Sequence, residues 1–515
     1  MIKFNKLFII TAALILLFES LSFIGYMVPS VNTGVFILLV VSTVAISFYR
    51  LEYGVLIVLA ELFIGSKGYL FNHILAGTNI SIRIALWSVV MICWSILLIK
   101  NLYQTKRLLS APEEKIKNLF AGANKYYTFL FIALAWGTIN GLINNDLHYA
   151  FLDFKRWIYF LIFLPLFSVI KNKENVQNLL TVFFASIMML SLKSFLLLFI
   201  FSHEMQGAVY DLYRWVRVTG VGEVTQIQGG FYRIFFQSHI FVLLGLILAL
   251  VYLVKQIIDN QIRSVIKQRA FWQSLILAVV FMSVTLLSFS RSFWVGLIGG
   301  FFFIYLFIMT EIYNTNGGEK KFFIKKIFEN STLFLSIIFL SLLLIVALVK
   351  FPYPKPLGGF DPTDVFSERA TETDEAAIGS RWALLPKLWQ EIKEAPFWGQ
   401  GFGATVTYQT LDPRVLEINP DGKYTTYAFE WGWLDIWLKL GLIGTLAYLF
   451  FLFQPMYLFY KEKKQDLLAA SLIIGLFVII IINFFTPYLN HPLGIGFLGL
   501  VMVIINKYDT VLQKS

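Results

Sequence analysis

The chain is 515 residues long, 58% hydrophobic, 17% aromatic and only 14% charged, with a mean hydropathy of +0.72. Soluble proteins are roughly half apolar and roughly a quarter charged, so this composition excludes an ordinary water-soluble domain and places the chain in a bilayer. In such a chain the formal net charge of +11 points to basic cytoplasmic loops, not to nucleic acid.

A spanning helix takes roughly 20 mostly apolar residues. About fourteen such stretches follow one another, centred near 17, 41, 60, 90, 135, 162, 189, 244, 280, 302, 341, 445, 476 and 500. The stretch 53–65 is short and the junction at Arg50 is tight, so the count lies between about twelve and fourteen. Lys3 and Lys6 precede a long apolar stretch containing Glu19 and no small-residue cleavage site, which reads as a retained first helix. With residues 1–6 inside, the basic groups around 100–125 (Lys100, Lys106, Arg107, Lys115, Lys117, Lys125), 255–270 (Lys255, Arg263, Lys267, Arg269) and 312–331 (Lys320, Lys321, Lys325, Lys326) fall inside as well. Lys461, Lys463, Lys464 and Lys514 follow the same rule.

The expected fold is therefore an all-α polytopic transmembrane helix bundle with both termini cytoplasmic and a long external loop containing amphipathic helices. It divides into N-terminal transmembrane helices (1–202), an external loop (203–232), transmembrane helices joined by a short arginine turn (233–350), a large external loop (351–429) and C-terminal transmembrane helices (430–515). The large loop is the one acidic stretch of a basic protein, with eleven acidic residues, among them Asp361, Asp364, Glu368, Glu372, Asp374 and Glu375, against seven basic ones. Within it, Trp382, Leu385, Leu388, Trp389 and Ile392 recur at helical spacing, which predicts a surface helix from Ser380 to Trp398 that Pro396 and the run Gly399-Gln-Gly401-Phe-Gly403 bring to an end.

One cysteine, Cys93, excludes an intramolecular disulfide framework, and five scattered histidines (His73, His148, His203, His239, His491) lack ligand spacing, so neither metal nor cofactor is expected. The informative residues are instead charges at the membrane edge, which cost roughly 2.5–3.5 kcal/mol to insert and so call for a partner or a task. Four of them fall at the external level: Arg233 after Gly229-Gly230 at the start of a helix, Arg291 in the turn Ser288-Phe-Ser290-Arg291-Ser292, Arg381 in the first turn of the surface helix, and Glu430 at the head of the next span. Arg156, with Asp153 and Lys155, shares that level.

Taken singly, each arginine reads as a snorkelling or solvated side chain, and Glu430 as a counter-ion. Together, planar guanidinium groups in a partly dry site suit the oxygens of a diphosphate, and a carboxylate beside them can accept a proton from an attacking hydroxyl. Asp435 and Lys439 read as an internal i,i+4 ion pair, while Lys193 and Glu61 lie deep in other spans without a partner that spacing can name.

Three motifs in order carry a resemblance: Ser288-Phe-Ser-Arg-Ser-Phe-Trp-Val-Gly296; the stretch Gly379-Ser-Arg-Trp through Pro396-Phe-Trp-Gly-Gln-Gly-Phe-Gly403; and Glu430-Trp-Gly-Trp-Leu followed by Gly441-Leu-Ile-Gly444. Over roughly 230–445 the chain resembles the O-antigen ligase and polymerase superfamily. The resemblance implies a metal-independent, inverting glycosyltransferase of the bacterial inner membrane with its site on the external face. Its donor would be an undecaprenyl-diphosphate-linked glycan and its acceptor a glycan or lipid hydroxyl, with a chain-length regulator and a flippase as further partners.

The resemblance assigns Arg291 and Arg233 to the diphosphate, with Arg381 as a third arginine beside them, while the chemistry of the residues makes Glu430, with Arg291, the expected catalytic pair. Family ligases that transfer to lipid A core place His-Asn eleven residues before the Gly-Leu-Ile-Gly element. Here Glu430-Trp431 occupy that place, which favours a polymerase or another acceptor class over such a ligase. The competing reading is a transporter or lipid-linked glycan flippase, which would use the buried charges, but transporters set their sites near the midplane.

Overall fold

The structure is a computed structural model that describes residues 5–75, 77–104, 124–205, 207–220, 222–316, 319–359, 361, 376–462 and 466–507. Lys3, the basic run 106–117, the acidic run 364–375, Lys463, Lys464 and Lys514 lie outside the described residues.

Apolar stretches become helices wherever their first turns find caps. Helix α1 (Lys6–Met27) starts at Asn5, whose side chain accepts from the Phe8 amide at 2.9 Å, and α2 (Pro29–Tyr49) starts on a proline that needs no amide partner. Next come α3 (Leu51–Ile64), the hairpin β1 (Asn72–Leu75) and β2 (Thr78–Ser81), α4 (Ile82–Gln104) and α5 (Asn124–Asn144). They are followed by α6 (Leu147–Trp157), α7 (Phe163–Val169), α8 (Lys173–Ser202) and α9 (Ala208–Val218). The hairpin β3 (Glu223–Gln228) and β4 (Phe231–Phe235) leads into α10 (His239–Asp259), α11 (Arg269–Leu287), α12 (Arg291–Asn316) and α13 (Lys320–Val349). The last elements are α14 (Ala376–Glu394), the hairpin β5 (Val406–Gln409) and β6 (Lys423–Thr426), α15 (Gly432–Glu462), α16 (Leu467–Ile482) and α17 (Pro492–Asn506).

Ten of these helices are long and apolar enough to cross a membrane, and α16 and α17 are shorter apolar helices beside them. Helices α10, α16 and α17 form the centre, with most of their side chains buried, while α1, α2 and α13 expose apolar side chains such as Leu16, Ile37 and Phe339 outward, as lipid-facing helices do. The expected all-α polytopic bundle is the observed architecture.

Three expected spans differ from continuous helices. The stretch near 60 is α3, 14 residues or about 21 Å long, which is shorter than a hydrocarbon core and is buried by its neighbours. The stretch near 162 is broken into α6, a 3-10 turn at Ile158–Ile162, and α7. Pro165 explains that break, because it has no amide to bond back one turn to the Leu161 carbonyl. The stretch near 445 is α15, which carries a non-helical residue at Gly441 (φ 69°, ψ −179°).

The break at Gly441 is filled by the Pro396–Gly403 loop. The Leu442 amide donates to the Pro396 carbonyl at 2.9 Å, and the Gln400 and Gly401 amides donate to Leu438 and Lys439 at 2.7 and 3.0 Å. Asn140 and Asn145, at the end of α5, donate side-chain amides to the Gly399, Gln400 and Phe402 carbonyls at 2.9 Å. A Cβ on Gly441 would sit 2.2 Å from the Phe397 oxygen, and one on Gly401 would sit 2.3 Å from the Gly141 nitrogen, so only glycine allows this approach. Irregular backbone at this depth is tolerated because protein groups, not lipid, satisfy it.

The bundle has two distinct ends. At one, a cavity of about 380 Å³ is lined by Asn5, Lys173, Tyr252, Ser274 and Asp466, and Lys326 donates to the Asn260 carbonyl at 2.9 Å; this is the basic end. At the other, the segment after α8 meets the segment after α13: Glu204 donates its amide to Lys355 at 2.9 Å, Leu357 to Ser202 at 2.9 Å, and Gly230 to Gly358 at 2.6 Å. This loop end gathers the two long connections, which sequence alone could only place on the same side.

Candidate functional site

Arg233 does not open a helix as expected; it lies in strand β4, opposite Thr225, and the following helix begins only at His239. Within the strand Phe231 and Ile234 are buried, and Arg233 is half-buried at the loop end. Phe231 packs on Phe289 (5.5 Å between ring centroids) and Phe235 on Phe293 (5.9 Å), which docks the strand onto the turn between α11 and α12. There the Arg233 Nε donates to the Ser288 carbonyl at 2.8 Å, and its guanidinium lies 4.8 Å from the Phe235 ring centroid.

That turn is short because Phe289 takes a left-handed conformation (φ 47°), which costs about 1–3 kcal/mol for a bulky residue. Its fully buried ring, against Phe231 and Trp294, holds it there. The Ser290 carbonyl then accepts from the Phe293 and Trp294 amides at 3.0 and 3.1 Å, so α12 begins with Arg291 as its first residue. Ser290 and Ser292 share a hydrogen bond of 3.1 Å, and Thr486, from the α16–α17 connection, donates to Ser292 at 3.0 Å.

Arg381 lies in the second turn of α14, since that helix begins at Ala376, not Ser380, and ends at Glu394. Its buried stripe is Leu384, Leu388 and Ile392, which pack with Val406, Tyr408, Phe429 and Leu438; Trp382 and Trp389 flank the stripe and stay exposed. Ser380 and Tyr408 share a hydrogen bond of 2.9 Å that ties the helix to β5, and burial pushes the Tyr408 hydroxyl above its ordinary pKa. Arg381 pairs through Nε with the Glu430 carboxylate, and the Arg381 carbonyl accepts from the Trp431 indole at 3.0 Å. Glu430 sits just before α15 between the buried Phe429 and the partly buried Trp431, and both members of the ion pair remain open to solvent (38% and 49%).

The structure thus makes two pairings from four residues: Arg233 with the Arg291 turn, and Arg381 with Glu430. The α16–α17 connection joins them. Phe485 lies 6.2 Å from Trp431, and its chain neighbour Thr486 bonds Ser292.

Beside the second pairing stands a buried cluster that spacing had reduced to one i,i+4 pair. Lys439 contacts Asp435 at 2.6 Å and Asp153 at 2.9 Å, and donates to the Tyr427 carbonyl at 2.8 Å. Asp153 also accepts from the Gly403 amide at 2.8 Å and faces Arg156 at 3.7 Å, and Asn490 donates to Asp435. Two carboxylates and two cations balance, so the cluster is neutral as a whole.

The two deep charges also have partners. Lys193 meets Glu19 at 2.5 Å, and Glu61 takes a bidentate pair from Arg83 at 2.9 and 3.1 Å. Among the described residues no group of three or more His, Cys, Asp or Glu side chains is placed to hold a metal ion.

No curated protein matches the chain. Residues 276–449, which hold the Arg291 turn, α14 with Arg381, the inserted glycine loop and Glu430, match the family model described as O-Antigen ligase. The chain thus combines ten helices long and apolar enough to cross a membrane with a stretch, about a third of its length, that is similar to the O-antigen ligase family of membrane glycan-processing enzymes.

Proposed function

We propose that the protein is a membrane glycosyltransferase that moves or polymerises an undecaprenyl-diphosphate-linked oligosaccharide at the external face of the bacterial inner membrane. The observation that carries this reading is the hydrogen bond from Arg233 to the Ser288 carbonyl, which holds one arginine against the turn that presents Arg291. A cation at the start of a helix is disfavoured by roughly 0.3–1 kcal/mol, whereas an anion there is favoured by the free amides of the first turn. Arg291 stands at such a start, so a diphosphate beside it would meet two guanidinium groups and a helix N-terminus together.

In this reading the acceptor hydroxyl attacks the anomeric carbon while the bond from that carbon to the diphosphate oxygen breaks. The carrier diphosphate leaves with the bonding electrons, stabilised by Arg233 and Arg291, and the hydroxyl proton passes to Glu430. Arg381 holds the Glu430 carboxylate in place and neutralises its charge. A single displacement of this kind inverts the sugar carbon. Glu430 in the place of the ligase histidine supports a polymerase, in which the acceptor is a second glycan. The transport reading leaned on Lys193 and Glu61, and each is ion-paired within the bundle.

The test is turnover by the purified full-length protein in lipid nanodiscs, supplied with undecaprenyl-diphosphate oligosaccharide and read as released carrier diphosphate and glycan length. Arg233→Ala and Arg291→Ala should each abolish release while the protein still inserts and elutes as wild type. Arg291→Lys should restore little, because an ammonium lacks the planar fork that grips two oxygens. Ordinary glycan lengths from both alanine variants would overturn the proposed site.

A further inference from the structure

The loop end carries a row of aromatic rings that the phosphate and proton chemistry does not use. Trp382, on α14 next to Arg381, is 61% exposed, and its ring stands edge to face against Trp431 at 5.6 Å between centroids. Trp431 in turn lies 6.2 Å from Phe485, whose chain neighbour Thr486 bonds the arginine turn through Ser292. The row therefore runs from the Arg381–Glu430 pair toward the turn that carries Arg291. Trp431 cannot swing out of it, because its indole N–H is committed to the Arg381 carbonyl at 3.0 Å.

An exposed indole packed against a second, anchored indole leaves its outer apolar face uncovered unless something stacks on it. A pyranose ring is a matching cover. One of its faces is lined by C–H groups that stack on an aromatic surface, and its rim carries hydroxyls that need charged or polar partners. Both kinds of contact occur here within adjacent residues: the indole of Trp382 and the half-exposed guanidinium and carboxylate of Arg381 and Glu430.

A second pair allows comparison. Trp389 meets Trp437 with the same 5.6 Å separation and an 89° interplanar angle, and is also exposed. Its indole neighbour, Trp437, donates to the Pro396 carbonyl at 2.9 Å, and the charged group over the Trp389 ring is Lys393, at 6.0 Å. No carboxylate is paired with a guanidinium beside it among the described contacts. The two pairs share one packing role between α14 and α15, and only the first adds groups that could orient sugar hydroxyls.

We infer that Trp382, braced by Trp431, is the stacking platform for the acceptor sugar, and that it aligns the attacking hydroxyl with Glu430. The inference rests on the glycosyl-transfer reading and deepens it by assigning the acceptor side of the same site to a carbohydrate face.

The test uses the full-length protein in nanodiscs, with lipid-linked oligosaccharide extracted from cells that make it as donor, and the glycan released from that donor as acceptor. Initial rates are measured against acceptor at fixed donor, and against donor at fixed acceptor, for wild type, Trp382→Ala, Trp382→Phe and Trp389→Ala. Trp382→Ala should raise the acceptor KM by about tenfold, leave the donor KM unchanged, and be largely rescued in Trp382→Phe, since the phenyl ring restores a stacking face. Trp389→Ala, which removes the equivalent packing, should leave the acceptor KM unchanged.

An acceptor KM that is the same in Trp382→Ala as in wild type, or raised equally in Trp389→Ala, would overturn the platform while leaving transfer intact. Wild-type protein that binds the donor but transfers nothing to any acceptor would overturn the transfer reading and the platform with it.

Discussion

Glu430 and Lys439 stand close together in the chain, at and just inside the start of α15, and they form ion pairs of opposite character. The Arg381–Glu430 pair joins α14 to the residues just before α15 and stays substantially open to solvent; pairs of that kind contribute under about 1 kcal/mol. The Lys439 pairs with Asp153 and Asp435 are closed off entirely, with side-chain exposures of 0–1%. Removing one member there strands a charge in a medium that cannot solvate it. The first pair can exchange its partner for a substrate group at small cost, and the second cannot. Charge at this end of the bundle is thus divided between a part that can do chemistry and a part that keeps the irregular backbone in register.

That division can be broken at its strong side first. Lys439→Met should cost about 3–5 kcal/mol of stability, because it leaves two buried carboxylates facing each other and frees the Tyr427 carbonyl. Thermal unfolding of the purified protein is the measurement, and a wild-type midpoint would mean that the cluster does not hold the loop.

Gly441→Ala should cost about 1–3 kcal/mol, since the new Cβ meets the Phe397 oxygen at a residue held at φ 69°. Limited proteolysis after the glycine loop would reveal its release, and an intact resistant loop would argue against strain at the insertion.

Glu430→Gln sharpens the contrast from the other side. It should move the unfolding midpoint little, yet on the proposed reading lower turnover by about 10²–10⁴-fold. Equal losses of stability in Glu430→Gln and Lys439→Met would erase the distinction between the two pairs. At the weak extreme, Lys355→Gln breaks a solvent-exposed pair with Glu204 (2.8 Å) and should leave both unfolding and turnover unchanged, although that carboxylate raises the pKa of Lys355.

Much of this architecture was open to reading from the chain alone, but unevenly. Long apolar runs such as 239–259 and 320–349 cannot satisfy their backbone in lipid except as helices, so composition and length decided them. The surface helix after Ser380 was legible from its periodicity, although the buried stripe proved to be Leu384, Leu388 and Ile392, with Leu385 and the tryptophans at its margin. Which face is buried depends on what the helix packs against, and its packing partners Val406, Tyr408 and Phe429 come from a hairpin whose short strands carry almost no signal.

The break of α15 was likewise signalled only weakly, by a glycine inside an apolar run. Its cause is a loop some forty residues earlier in the chain, which occupies the gap and bonds the exposed amides. The partners of Lys193 and Glu61 were beyond reach for the same reason, since Glu19 and Arg83 belong to other helices.

The sequence by itself determined that this protein is a helical membrane bundle, which residues are costly enough in a bilayer to need a role, and, through three ordered motifs, the family that residues 276–449 resemble. These are local properties: transfer free energy, helical period and the identity of neighbours in the chain. Only the tertiary structure decided that Arg233 sits on a strand against the Ser288 carbonyl, that Arg381 meets Glu430, and that Lys439 ties together four separate segments. Those contacts join residues far apart in the chain, and their geometry is fixed by how whole helices and hairpins pack, which no local pattern specifies.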